Sequence, residues 1–552
     1  MRAWFRSGTP WIWLNAGALA LSLVMVIGLL TLIAVRGFGH FWPADIVQLT
    51  VQEGDRQTVV MGELVRSQTL ASNVIRDAGV KLEGDDPLIT RYLLKVGNRD
   101  VFGRDFRWFL QPHVLKREYP KNALALERRE WGNFYGVPVR LLEGDQVIAE
   151  GDAVLEHLPA RIKRVNDLYK QIRSIERGAI GDINYRLERI RLDERRLELR
   201  EAPAYQLEQF RQQAEIERES LEHDFLELRG ELDQLYAAAR RDTLVMKTAD
   251  GQEVTLNVGV IVNAWAPNRM NVFQKLGHYF PELWHFLTGE PREANTEGGI
   301  FPAIFGTVTM VLLMSIIVTP FGVLAAIYLR EYAKQGPLLK IIRVSVYNLA
   351  GVPSIVFGVF GLGFFVYIMG GSIDQLFYPE ALPTPTFGSP GLFWASLTLA
   401  LLTLPVVIVS TEEGLSRIPS TIRQGSLALG ATKSETLWKV VVPLAAPAMM
   451  TGLILAIARA AGEVAPLMLV GVVKLAPSLP IDGNFPFIHL DRQIMHLGFH
   501  IYDVGFQSPN VEAARPLVYA TALTLVALIM VLNMTAISIR NRLREKYRSD
   551  SD

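Results

Sequence analysis

The chain has 552 residues, half of them hydrophobic and one fifth charged, and its 56 basic and 56 acidic side chains leave no net charge. That length exceeds one ordinary domain, and a neutral balance gives no field that argues for nucleic acid. The absence of cysteine excludes disulfides, thiolate metal sites and cysteine nucleophiles, and the nine histidines form no H-E-x-x-H or similar metal spacing.

Apolar and polar residues are segregated along the chain. A membrane span needs about 20 mostly apolar residues. The first such run is Trp11–Val35. It is too long for the apolar part of a secretory signal, and Val35-Arg36-Gly37 is a poor small-x-small cleavage site. It therefore reads as a retained anchor, and residues 1–36 are expected to form an N-terminal transmembrane segment.

Residues 37–300 are polar. The stretch Val47–Val154 is strand-forming, as in Thr58–Val65, Arg91–Val96 and Val137–Asp152, with a turn expected at Glu143-Gly144-Asp145. Thr243–Val262 repeats that style around Asp250-Gly251. Between them, at about 155–240, lies a helical stretch. Its apolar stripe is Leu158, Ile162, Val165, Tyr169, Ile172, Ala179, Ile183, Leu187 and Ile190, and after Ala202-Pro203-Ala204 it resumes at Leu207, Phe210, Ala214, Leu221, Phe225, Leu228, Leu232 and Leu235. This spacing predicts an antiparallel coiled-coil hairpin with its tip near Pro203, projecting from one small β-rich domain. Two readings stand for it: a spacer with a solvated charged surface, or a docking arm for a partner. The charge-rich run Arg186–Glu201 reads as ion pairing along a helix.

Five further spans are expected at Phe301–Leu329, Val344–Met369, Leu392–Ser410, Pro447–Val473 and Pro516–Ile539, giving a five-helix core over 301–545 and a tail at 546–552. Lys and Arg concentrate at Arg2 and Arg6, in the loops after the second and fourth spans, and in the tail Arg540–Arg548, whereas Gly370–Gly391 has none. By the positive-inside rule both termini are cytoplasmic and residues 37–300 lie outside. In the third span, Pro353 frees a carbonyl that Ser354 can satisfy, or Ser354 lines a cavity; helix packing alone is the alternative.

The loop 412–446 holds Gln424-Gly425-Ser426, Gly430-Ala431 and, at its end, Pro443. Ser420 and Thr421 are expected to cap a short helix that ends near Leu429, Gly430 to follow as its stop, and Pro443 to close a second helix begun near Ser434. Such a helix–Gly–helix unit suits a partner's groove. Beyond it, Arg459 and Glu463 stand in an apolar helix, Ala456–Leu467, about 18 Å past Pro447. Charges inside a span are expensive. Either they form a self-satisfied ion pair, or Arg459 meets an anion through its paired N–H donors while Glu463 orients it. There is no G-x-x-x-x-G-K-[ST], so ATP hydrolysis falls to another chain.

At these residues the chain resembles ABC-importer permeases, whose coupling motif reads E-A-A-x-x-x-G, nine residues, then I-x-L-P. Here Gln424-Gly425-Ser426, Gly430 and Val440–Pro443 take those places, with Gln424 where the motif is acidic. The span-three run Gly351–Gly358 and the run Ala458–Leu467 are similar to the phosphate-specific branch, and Ala465-Pro466-Leu467 to its PstA-type permeases. The resemblance implies an α-helical polytopic membrane protein of type I importer fold, with six transmembrane helices and the 37–300 region as a large periplasmic insertion. It implies a subunit of the bacterial inner membrane that imports inorganic phosphate and is not itself an enzyme. The implied partners are a PstC-type sister permease, a PstB-type ATPase dimer that uses ATP and Mg, a periplasmic phosphate-binding protein and membrane lipid, with no cofactor and no metal of its own. Arg459 matches an intramembrane arginine implicated in phosphate passage. Rival readings are a permease for another oxyanion or polar solute, and a phosphate-status signalling scaffold that transports little.

Overall fold

A computed structural model of the protein describes residues 7–54, 56–77, 86–292, 295–508 and 511–548. Arg2, Arg6 and the last four residues of the expected tail lie outside the described residues. The chain divides into two compact units, one from Phe41 to Gly299 and the other comprising the chain before and after it.

The Phe41–Gly299 unit is built on two antiparallel sheets. In the first, β1 (Ile46–Glu53), β2 (Arg56–Ala71), β3 (Leu88–Lys95), β4 (Phe106–Leu110) and β5 (Val114–Glu118) lie in the order β4-β3-β2-β1-β5. The second holds β6 (Leu124–Arg128), β7 (Phe134–Glu143), β8 (Gln146–Glu150), β9 (Asp242–Lys247), β10 (Glu253–Asn257) and β11 (Ile261–Trp265). Its order is β10-β9-β7-β6-β11, with β8 also on β7. Strands before and after the helical stretch thus share a sheet: β9 pairs with β7 and β11 with β6. Two asparagines, Asn98 buried and Asn268 half-buried, tie the sheets together. Asn98 donates to the Tyr135 carbonyl (2.9 Å) and accepts from its N–H (2.7 Å). Asn268 brackets both backbone groups of Ile46 at 2.9 and 2.8 Å.

The helical hairpin leaves this sheet at Val154. One arm runs Val154–Ser174, a π-turn at Ile175–Ala179, then Ile180–Leu199; the other runs Ala204–Ala239, with Pro203 at its N-cap. The drift in the apolar stripe has two causes. Leu158, Ile162 and Val165 pack into the core of the second sheet, not against the other arm. The π-turn then resets the register, so that Ile183 and Ile190 meet Ala214 and Leu221 across the hairpin. At the hairpin's base, Asp242 is fully buried and accepts from Arg164 (3.1 Å) and Arg241 (2.9 Å), with Arg161 at 3.5 Å. Removing this carboxylate leaves Arg164 only the Ala238 carbonyl and puts Arg161 and Arg241 on Glu143 alone. Asp242→Ala is expected to cost about 2–3 kcal/mol, below the value for a fully dry pair because the arginines stay partly wet. A melting curve of the full chain beside Asp152→Ala, an exposed surface pair, checks it.

Among its described residues, the other unit contains six helices long and apolar enough to cross a membrane: Trp11–Gly39, Phe301–Tyr332, Ser354–Phe377, Leu392–Ser416, Lys433–Gly462 and Ala514–Arg542. All six shift somewhat from the expected bounds, and spans three and five shift most. Span three starts at Ser354, because Gly351, Val352 and Pro353 break the chain after a separate amphipathic helix, Pro337–Leu349. Pro353 therefore sits at the N-cap of the span and not inside it. Span five starts at Lys433 and ends at Gly462, short of the expected Val473. Spans two, four and five form the core, with Met310, Met314, Leu399, Val407, Ala456 and Ala460 buried among them. Small residues bring spans four and five close: a Cβ on Gly414 would lie 2.4 Å from Ala448 Cβ, and one on Gly452 2.7 Å from Ser410 Cβ. Span one has none of its most apolar window buried by the protein, which leaves that surface for lipid or a partner.

Candidate functional site

The loop after span four folds into two helices at a fixed angle. The first, Ser420–Ala428, has Pro419 at its N-cap, and neither Ser420 nor Thr421 caps it by side chain as the sequence suggested. Its end is a Schellman turn. Gly430 N–H donates to Leu427 O (3.0 Å), Ala431 N–H donates to Ser426 O (3.3 Å), and Gly430 takes φ +90°. Two residues on, Thr432 caps the second helix. Its hydroxyl accepts from Glu435 N–H (3.2 Å), and Glu435 accepts from Thr432 N–H (3.0 Å). The hydroxyls of Ser426 and Thr436 then lock the two helices together at 2.8 Å.

Pro443 does not close this unit. A π-turn at Leu437–Val441 lets Val442 N–H reach Leu437 O, and the helix continues through Pro443, whose missing N–H falls where the ladder has already slipped. The second helix of the loop and span five are thus one body of 30 residues, about 45 Å long.

The unit is clamped from behind by Glu331, at the end of span two. Arg423 pairs with the Glu331 carboxylate (2.8 Å) and also donates to Ile418 O (2.7 Å) and Leu415 O (2.8 Å). Lys433 donates to Glu331 O (2.7 Å) and lies over the Tyr332 ring. Two of the basic residues read from the sequence therefore hold the loop in place. The outward surface mixes charged and apolar side chains: Arg417 and Lys439 are exposed, and so are Gln424, Gly425, Leu427, Trp438 and above all Leu429, which is 91% accessible. Sequence reasoning missed Glu331, Leu429 and Trp438. A leucine at the end of a short helix reads by default as core.

At the other end of the same helix stands Arg459. The helix stops at Gly462, and Glu463 is extended, with φ −76° and ψ 140°. The expected continuous helix to Leu467 is instead a turn followed by a short helix, Leu467–Val470. Arg459 is thus in the last turn, where the free carbonyls favour a cation. Its Nε lies 3.5 Å from Glu463 Oε1, and Glu463 is its one ion-pair partner among the described residues. The two side chains keep 33% and 19% exposure, so the pair is not sealed in the core. Ala456, Ile457, Ala460 and Ala461 take the buried face, which turns Leu455, Arg459 and Gly462 to the open one.

Toward the loop 412–446, the same helix carries Leu444, Ala448 and Thr451. These line a cavity of about 500 Å³ with Gly414, Arg417 and Arg540. The spacing 444, 448, 451, 455, 459 is one helical stripe. The cavity ends at Thr451, about two helical turns short of Arg459.

Ser354 opens span three, a helical turn before Gly358. A Cβ on Gly358 would lie 2.6 Å from Pro466 Cα, so span three packs directly on the turn that follows Glu463. Around it, the loops after spans three and five interlock: Gly391 N–H donates to Val470 O (3.0 Å) and Leu392 N–H to Arg492 O (2.8 Å). From the last turns of span three, Asp374 is buried and accepts from the N–H groups of Thr386, Phe387 and Gly388 in the loop that follows. The structure thus packs span three, at Gly358, on the turn that follows Arg459 and Glu463, and sets Gln424, Gly425, Ser426, Gly430 and Ala431 at the opposite end of span five.

Residues 318–549 match the family described as the binding-protein-dependent transport system inner membrane component. The chain is 34% identical over 258 residues to the phosphate transport system permease protein PstA of Mycobacterium leprae, covering 46% of this chain and 75% of that one. It is 32% identical over 247 residues to the phosphate transport system permease protein PstA 1 of Mycobacterium tuberculosis, covering 44% and 71%. Among solved structures, a chain of the MetNI methionine ABC transporter in an inward-facing conformation is 18% identical, covers 48% of this chain and 98% of that one, and has a TM-score of 0.33.

Proposed function

Because the chain belongs to the binding-protein-dependent transport system inner membrane component family, we propose that it is the PstA-type subunit through which inorganic phosphate crosses the bacterial inner membrane. Permeases of this family are multi-pass membrane components, not enzymes, and work with an ATPase and a substrate-binding protein. For this chain we assign those places to a PstB-type ATPase dimer below the membrane and a phosphate-binding protein outside it, with a PstC-type permease alongside. Both termini are cytoplasmic and the Phe41–Gly299 unit is periplasmic. The chain uses no cofactor of its own; ATP and Mg act in the ATPase.

The observation that carries this reading is Arg459 on the open face of span five. A planar guanidinium matches a tetrahedral oxyanion through paired N–H donors, whereas it has little to offer a neutral solute. Glu463 holds Nε and leaves the terminal nitrogens to the anion, and its own charge keeps the anion from binding too tightly to leave. Ser354, at the start of span three, lines the same pathway. At the far end, ATPase closure moves the 420–436 unit, and the unbroken helix from Lys433 to Gly462 carries that motion to Arg459.

The test is transport by the complete system in vesicles: ATP-dependent accumulation of phosphate that excess sulfate does not suppress. Sulfate accumulation without phosphate accumulation would replace the cargo, and a phosphate-starvation response with no uptake would favour a signalling role.

A further inference from the structure

The helix Val272–Thr288 carries its apolar stripe on the wrong side for a water-soluble domain. It starts at a capping box: Asn271 and Gln274 exchange side-chain-to-backbone hydrogen bonds of 2.9 Å in each direction. Its inner face is polar to an unusual degree. Lys275 pairs with Asp45 (2.6 Å), the His278 ring stacks on Trp265 (4.9 Å), and Glu282 accepts from Asn263 (2.5 Å). Burial, and then the nearby Glu127 charge, push the Glu282 carboxyl up to about 7. The outer face is aromatic: Phe273 is 84% exposed, Phe280 62% and Trp284 68%, with Val272 and Leu276 beside them. Positions 273, 276, 280 and 284 form one stripe. A helix that turns Glu282 and His278 toward its own unit while presenting three large rings is not folded for water on that side.

The chain itself points to what covers it. Phe41, which packs on Phe286 (5.1 Å) and Tyr279 (6.1 Å), comes two residues after Gly39, the last residue of span one. That is about 7 Å of chain at most. Trp42 is next, against Tyr279 at 6.4 Å. On the other side, the chain re-enters an apolar span at Phe301, soon after the helix ends at Thr288. The helix is therefore tethered near the point where one span ends and shortly before another begins, and Trp, Tyr and Phe are the side chains that collect at the membrane–water boundary.

We propose that the Phe273–Trp284 face of this helix lies in the headgroup–acyl boundary of the bilayer, as an interfacial foot that anchors the Phe41–Gly299 unit to the membrane surface. The proposal rests on the chain's insertion in a membrane and is independent of the cargo. The foot adds a lipid contact that the six spans do not supply, and it fixes where the hairpin begins. Polar groups on the inner face tie the foot to the sheets of its own unit.

The chain has no cysteine, so single nitroxide labels can be placed without background. Phe273→Cys, Phe280→Cys and Trp284→Cys are labelled in the full chain, in vesicles of phosphatidylethanolamine and phosphatidylglycerol. Met25→Cys, exposed on span one, and Ile216→Cys, exposed on the hairpin, serve as references. The expected result is an oxygen-to-nickel-chelate collision ratio several-fold above that at 216 and below that at 25, for all three foot positions. A ratio equal to that at 216 means the face is in water and overturns the proposal. Loss of access to both reagents means a protein covers it, and overturns it equally. A water-like ratio at Met25 would instead sink the membrane reading itself.

Discussion

Arg459→Ala lowers phosphate uptake by about 10–100-fold at equal abundance of the transporter in the membrane, and Arg459→Lys recovers only part of it. The magnitude follows from the chemistry. A hydrogen bond to a charged partner contributes about 1.5–3 kcal/mol, and each 1.4 kcal/mol is a factor of ten. Lysine keeps the charge but offers a point donor where arginine offers a planar fork, so it restores attraction without the paired geometry. Folding loses little in either variant. The contact with Glu463 is a single one at 3.5 Å between partly exposed groups, a class of ion pair that contributes about 0–1 kcal/mol. The melting temperature is therefore the control, and uptake is the readout. Glu463→Gln shifts the balance the other way: the anion is held longer and turnover falls. Unchanged uptake in both Arg459 variants would reduce the pair to a helix-end contact with no part in passage.

Much of this architecture was legible in the sequence, and the misreadings have physical causes. Six apolar runs of about 20 residues are hard to mistake, because nothing else tolerates them. Their bounds were less legible where proline was taken as a breaker. Pro443 and Pro447 lie inside span five, since the π-turn before Pro443 absorbs its missing donor. Pro353 does break the chain, because Gly351 precedes it and the helix before it has already ended at Leu349. Gly462 ends span five where a helix to Leu467 was expected, which moves Arg459 from mid-helix to a last turn. In the loop 412–446 the Gly430 stop is legible, whereas the caps expected at Ser420 and Thr421 do not form and the Thr432–Glu435 box, an equally local signal, is not among the sequence expectations. Its clamp is not legible: Glu331 and Arg423 are far apart in sequence, and no periodicity links them. The inverted helix at Val272–Thr288 escaped notice for a related reason. An amphipathic pattern reports that a helix has two faces, and it cannot say which one the protein keeps for itself.

The second large effect is at the coupling end. Under the proposed docking, Leu429→Asp weakens ATPase retention by about 10–100-fold, since burying a leucine side chain contributes about 1.5–3 kcal/mol and the carboxylate adds a desolvation cost. Leu429 suits this test because 91% of it is accessible in the chain alone. Its loss cannot unpack the permease, so a lower melting temperature is not expected. It also sits at the C-cap just before Gly430, where the Schellman turn pushes it outward. Trp438→Ala, on the first turns of the long helix, should act in the same direction, as aromatic anchors at interface centres commonly do. The measurement is co-purification of the ATPase and its stimulation by the loaded binding protein. Because span five is rigid from Lys433 to Gly462, a permease that has lost its grip at Leu429 should still bind anion near Arg459 and fail only to move it. Full ATPase retention in Leu429→Asp would remove this surface as the docking site, and would leave the helix as a support for Arg459 with its drive applied elsewhere.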